Sequence, residues 1–134
     1  MKQTELTASG RPYDLHERLL IFACDVVSAV QFLHRRGAIA RELSYQILRA
    51  GTSVGSNYEE SDGASSPADF IAKNRIALKE AKETRFRLRV CRRSEFLDGN
   101  FDPLVRESDE IVRILGKIVH NAIKRQTSTQ KLPR

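Results

Sequence analysis

Hydrophobic residues recur at helical spacing along most of the chain and divide it into four segments. In the first, Leu15, Leu19, Phe22, Val26, Val30 and Leu33 fall three or four positions apart, the spacing of one helix face. Asp14 precedes the run as a capping residue, and Glu17 three positions later completes a capping-box pattern. Gly37, after Arg35 and Arg36, is the expected stop, because glycine tolerates a left-handed backbone and cations suit a helix C-terminus. A second helix is expected from about Ala38 to Asp62, with Ile39, Leu43, Ile47, Ala50, Val54 and Tyr58 on its inner face. Its centre, Gly51 to Ser56, is a poor helix former, so a break there is the competing expectation. The apolar stripe stays in phase across this patch, which favours one continuous helix.

The third helix has a clear start: Ser66 as N-cap, Pro67 at the first helical position and Asp69 in the first turn. It is expected to run to about Arg93. A turn at Leu97-Asp98-Gly99-Asn100 follows, and Asp102-Pro103 repeats the cap-then-proline start. The fourth helix then reaches about Lys124, with Leu104, Ile111, Val112, Leu115, Ile118, Val119 and Ala122 on one face. Four long helices joined by short connections specify an all-α fold, an antiparallel up-down four-helix bundle in one domain. The expected layout is a flexible N-terminal arm over 1–12, the bundle over 13–125, and a flexible C-terminal tail over 126–134.

Composition agrees with a globular chain. Of 134 residues 40% are hydrophobic and 30% charged, with only seven Gly and four Pro, which excludes collagen-like and low-complexity chains. No apolar run approaches the ~18 residues of a membrane span, and Met1 to Pro12 lacks the apolar segment of a signal peptide. Cys24 and Cys91 stand in different segments, so free thiols in a reducing, cytoplasmic setting are expected rather than a disulfide framework. Catalytic chemistry has little to rest on. His16, His34 and His120 are isolated, none follows a Glu at di-iron spacing, and neither cysteine has a ligand partner at zinc spacing. Neither metal nor cofactor is expected, and the chain reads as a non-enzyme.

The third helix is unusual in having two apolar faces. Phe70, Ala77, Ala81 and Leu88 point one way, whereas Ala72, Ile76, Phe86 and Val90 point nearly opposite. A helix apolar on two sides is expected to be buried on two sides, and one bundle covers only one of them. An outer stripe of this kind marks a protein interface, here with further copies of the chain. Leu20, Cys24 and Val27 give a weaker echo on the first helix. The competing reading packs these residues under loops and long neighbouring side chains.

The formal net charge is +6, and it gathers on the same helix: nine cations against two anions lie between Lys73 and Arg93. From Asp102 to Arg125 five cations nearly balance four anions. Repeated cationic stripes attract phosphate backbones. Arg75, Lys79, Lys82, Arg89 and Arg93 flank the outer face and are the candidate nucleic-acid contacts. A solvated charged face is the alternative. On the second helix Glu42, Gln46, Arg49, Ser53, Asn57 and Glu60 form a polar line beside the core face, and Asn74 on the third helix lies close to its core line. Gln46, Arg49, Ser53, Asn57, Glu60 and Asn74 read as a structural hydrogen-bonded network that sets helix register. Gly51 and Gly55, four apart, suit close approach of another helix, and without a following lysine they do not form a phosphate loop.

The stretch Leu43 to Glu60, with Gln46, Arg49, Ser53, Asn57 and Glu60, resembles the helix-two signature of the bacterial 23S rRNA intervening-sequence protein family. The runs Asp69-Phe70-Ile71 and Ala77 to Thr84 look like that family's third helix, and the likeness covers roughly Tyr13 to Arg125. The chain departs from the family pattern in lacking Trp in helix one, in having Ser61 where Gly is usual, and in lacking Pro before helix two. The resemblance implies a pentameric ring of four-helix protomers. It extends to the accessory variability determinant protein of diversity-generating retroelements, which implies binding to nucleic acid and to a reverse transcriptase. The expectation is therefore a non-catalytic homo-oligomer, a pentamer in the family's manner, that binds RNA or DNA as accessory to a larger protein. A protein–protein scaffold without nucleic-acid binding is the alternative.

Overall fold

The computed structural model describes residues 14–130. Four helices follow in chain order: α1 (Leu15–His34), α2 (Ala38–Asp62), α3 (Pro67–Arg93) and α4 (Asp102–Gln130), with a short 3-10 turn, Gly99–Phe101, before α4. They form an all-α four-helix bundle. Ion pairs give the directions. Along α2 and α3, Arg49 meets Glu83 while the later Glu60 meets the earlier Lys73. Along α3 and α4, Arg85 meets Asp109 and the later Arg92 meets the earlier Asp102. Both pairs of helices therefore run antiparallel. α2 packs on α1 and α3, α3 also packs on α4, and α1 and α4 approach more sparingly. α1 and α3 stand diagonally across the bundle.

Local chemistry sets the helix ends. Asp14 accepts a hydrogen bond from the His16 amide, and Ser66 Oγ accepts one from the Asp69 amide with Pro67 at the first helical position. Asp98 caps the 3-10 turn by accepting from the Asn100 amide at 2.9 Å. α1 ends at His34 with Arg35 as its cap, three residues short of the expected glycine. Gly37 instead opens α2 at φ 103°, a left-handed region open mainly to glycine. Glu95 takes φ 65° just beyond α3, where Arg36 donates to its carbonyl at 2.9 Å. α2 is continuous through Gly51–Ser56, because the close fit of its glycines on α1 outweighs their weak propensity. A Cβ on Gly51 would stand 2.6 Å from Val26 Cγ1, and one on Gly55 would stand 3.3 Å from Leu19 Cβ.

The core is built from Leu19, Phe22, Val26 and Leu33 of α1, Ile47 and Val54 of α2, Ala77, Ala81 and Leu88 of α3, and Ile111 and Leu115 of α4. Leu97 closes it from the α3–α4 connection. Three expectations need correction. Ile39 is 68% exposed, and Ala40 and Ser44 are buried near the start of α2 in its place. Phe70 is only half-buried, whereas Ile71 beside it is 6% exposed. α4 continues to Gln130, past its expected end at about Lys124. The N-terminal arm over 1–12 and the last four residues of the expected tail lie outside the described residues. No helix among the described residues is long and apolar enough to cross a membrane.

Candidate nucleic-acid interface

The outer side of α3 carries both candidate surfaces. Ala72, Ile76 and Phe86 are exposed, Phe86 at 67%, and Val90 is half-buried. The nine cations of this helix divide into two sets. Lys73, Arg85, Arg87 and Arg92 are committed to Glu60, Asp109, Glu83 and Asp102, at 3.2, 2.9, 3.2 and 2.7 Å. The other five, Arg75, Lys79, Lys82, Arg89 and Arg93, are exposed and make no ion pair among the described residues. Committed cations sit where α3 meets α2 or α4, and the uncommitted ones sit on the outer side. Burial near carboxylates, not charge alone, makes the division.

Across the bundle, α1 presents its own apolar line. Leu20 is 57% exposed, and Cys24 and Val27 are exposed beside it. Because α1 and α3 are diagonal neighbours, the protomer carries apolar stripes on opposite sides.

α4 contributes a surface that counting charges along the chain missed. Its acids turn toward neighbouring helices: Glu107 and Glu110 to Arg18 of α1, and Asp109 to Arg85 of α3 and Arg113. Its cations Arg106, Arg113, Lys117 and Lys124 remain on the exposed side. A near-neutral helix thus shows a positive outer surface. The signal was legible in the helical spacing of these four residues, but only the partners of the acids made it count. An open cleft of about 770 Å³ joins Arg85 and Arg89 of α3 to Arg106 and Arg113 of α4.

The polar line on α2 does not form one connected network. Ser53 Oγ donates to the Arg49 carbonyl at 2.6 Å and Asn57 Nδ2 to the Ser53 carbonyl at 2.8 Å, both within the helix. Arg49 and Glu60 reach across to α3, to Glu83 and Lys73. Gln46 is half-buried and its side chain makes no hydrogen bond among the described residues. Asn74 is fully buried, donates to the Phe70 carbonyl at 3.0 Å, and leaves its Oδ1 without a partner. The physical reason is reach: serine and asparagine side chains on a helix find a carbonyl one turn back before they reach a neighbouring helix.

The strongest buried electrostatic feature joins α1 to α4. Arg18, 7% exposed, donates to both carboxylate oxygens of Glu107 at 2.9 and 2.6 Å and also to Glu110. The hydrogen bond with Glu107 holds the Arg18 guanidinium above its ordinary pKa despite burial. At the start of α4, the hydrogen bond from Arg92 holds the Asp102 carboxyl below the usual carboxylate range. Burial pushes the Cys91 thiol up. His16 pairs with Asp62 at 2.7 Å and lies against Tyr58, while His34 meets Tyr45 edge-on. Among the described residues no cluster of His, Cys, Asp and Glu could hold a metal ion.

The architecture defines the class as an antiparallel four-helix-bundle protein with a basic, partly apolar outer surface. The chain belongs to the 23S rRNA-intervening sequence protein family, whose sequence model matches residues 17–117. It is similar to a crystal structure of a protein of unknown function from the S23 ribosomal protein family of Bacteroides thetaiotaomicron. The two share 37% identity with a TM-score of 0.71, over 78% of this chain and 97% of that one. No curated protein gives a significant match.

Proposed function

We propose that the protein is a non-catalytic homo-oligomer, a pentamer as the family likeness implies, that binds nucleic acid through the basic outer side of α3. It serves there as an accessory to a larger partner, of which a reverse transcriptase is one example. The observation that carries this reading is the sorting of α3's cations. Five of nine have no acidic partner among the described residues, and all five flank the outer stripe of exposed Ala72, Ile76 and Phe86 with half-buried Val90. Unpaired cations in a row are what a phosphate backbone neutralises. The second apolar stripe, on α1, supports assembly by head-to-tail contact. Two unlike faces propagate head-to-tail contacts, which close into a ring when the rotation per step divides the circle, whereas a twofold dimer uses a single patch twice.

Light scattering and a salt-titrated mobility-shift assay test the two halves. The wild type is expected at five times the 15.2 kDa protomer mass, and Phe86→Glu at the protomer mass with its helix content retained. Binding to a nucleic-acid probe is expected to weaken log-linearly with salt. A monomeric wild type refutes the assembly. Absence of binding at low salt refutes the nucleic-acid half and leaves a scaffold that contacts proteins alone.

A further inference from the structure

The cations of α3 and α4 stand in register across one seam. Arg85 pairs with Asp109 and Arg92 with Asp102, which fixes the level of every α3 residue against α4. On that register Arg89 falls within one residue of the level of Arg106, Lys82 of Arg113, and Arg75 of His120, one turn from Lys117. Arg75, Lys82 and Arg89 repeat every seven residues, as do Arg106, Arg113 and His120. Each step is about 10.5 Å at 1.5 Å per residue. The result is three like-charged or basic rungs along about 21 Å of seam, on helices whose axes pack about 8–10 Å apart.

Two further observations bear on what lies there. Arg89 of the α3 row and Arg106 and Arg113 of the α4 row line one open cleft of about 770 Å³, so the rows share a space at that end of the seam. The three acids of that cleft are already engaged: Glu107 and Glu110 by Arg18, and Asp109 by Arg85 and Arg113. Gly116, one turn from Arg113, shares a helix face with Asp109 and therefore looks toward α3. No atom lies within 4 Å of where its Cβ would stand, so packing within the protomer does not demand glycine. A glycine inside a helix costs about 0.5–1 kcal/mol relative to alanine, and close approach to a ligand is one use for it.

We infer that the α3–α4 seam is a track for one polynucleotide strand, held by its phosphates between the two rows. This rests on the reading of the α3 cations as phosphate contacts and adds Arg106, Lys117 and Arg113, the last exposed but also paired with Asp109, as the opposite wall. The straightness of the seam favours a single strand over a duplex. Over about 21 Å a duplex rises about six base pairs, more than half a turn, and each of its backbones swings out of a straight groove. A single strand has no such constraint. The contacts are to phosphate alone, so RNA and DNA strands are expected to bind alike.

The test measures binding of oligo-U and oligo-dT 20-mers, and of a duplex of equal length, by fluorescence anisotropy across a salt series. Six phosphate contacts predict a slope of log affinity against log salt of about −4 for single strands. The α4 variant Arg106→Gln/Arg113→Gln/Lys117→Gln and the α3 variant Arg75→Gln/Lys82→Gln/Arg89→Gln are each expected near −2, at least about tenfold weaker at low salt. Gly116→Gln, which adds bulk on the α3-facing side of α4 without changing charge, is expected to weaken binding several-fold with no fall in thermal midpoint. The duplex is expected to bind more weakly than either strand. If the wild type and the α3 variant behave as stated while the α4 variant or Gly116→Gln binds like wild type, the seam is refuted and the α3 reading stands. A duplex that binds as tightly as the strands also refutes the track. If the wild type binds no probe, both fall.

Discussion

Removing the Arg18 side chain tests how far its charge pair is withdrawn from water. Arg18 is 7% and Glu107 3% exposed, and the guanidinium meets both carboxylate oxygens, so neither group has much solvent to fall back on. Arg18→Met keeps the apolar stem and deletes the charge, taking from buried Glu107 the guanidinium that meets both its oxygens. Breaking one side of such a pair costs about 3–5 kcal/mol, a large part of the ~5–15 kcal/mol that holds a domain of this size. Arg18→Met/Glu107→Leu removes both charges, and Glu110, half-exposed, can turn to solvent. Apolar replacement of a whole buried pair is typically neutral or stabilising by about 1–4 kcal/mol, so the double variant is expected to match or exceed wild type. Urea unfolding followed by far-UV circular dichroism, at one fixed protein concentration, reads both through the linear extrapolation. A loss under about 1 kcal/mol in Arg18→Met would place the pair with ordinary surface ion pairs and refute the argument. A double variant as unstable as the single would show that packing, not charge, was lost.

Other sites give sharper local expectations. Gly51→Ala puts a methyl 2.6 Å from Val26 Cγ1 in a fully buried contact, and the stiff valine cannot turn aside. Overpacking of about 1–3 kcal/mol against about 1 kcal/mol of helix propensity predicts a net loss; a raised thermal midpoint would refute the close α1–α2 approach. In Arg92→Gln the Asp102 carboxyl should titrate closer to the ordinary carboxylate range, readable by NMR. The sign follows from the lowered pKa: the Arg92–Asp102 contact contributes above the unfolded Asp pKa and is lost as pH falls through the folded value, so the variant should lose this part of the acid limb. Thiol titration should distinguish the cysteines. Cys91, buried and with its pKa raised, should react only on unfolding, and Cys24 should react faster in Phe86→Glu than in wild type if assembly covers the α1 stripe. Equal Cys24 rates in an oligomeric wild type and a dissociated variant would exclude α1 from the interface.

What the sequence determined by itself is what depends on near neighbours along the chain. Asp14 and Ser66-Pro67 mark helix starts because capping and proline geometry act within one turn, whereas at Asp102-Pro103 Asp102 is itself helical and pairs with Arg92 instead of capping α4. The inner faces of α1 and α4 were legible because a period of 3.6 residues writes one stripe along a helix. The two-faced pattern of α3 was legible for the same reason, and Phe86 and Ile76 stand exposed where the period puts them. The tertiary structure decided everything that turns on which helix lies beside which. It placed Val26 against Gly51, joined Arg18 to Glu107 eighty-nine residues away, and left Ile39 outside the core although its period fits. It turned α4's acids toward Arg18 and Arg85 and so exposed a basic row that residue counts concealed. Periodicity fixes the angle of a side chain about its own helix axis. The rotation and register of one helix against the next come from packing, and those two variables decide whether a charge is spent inside the bundle or left free at its surface.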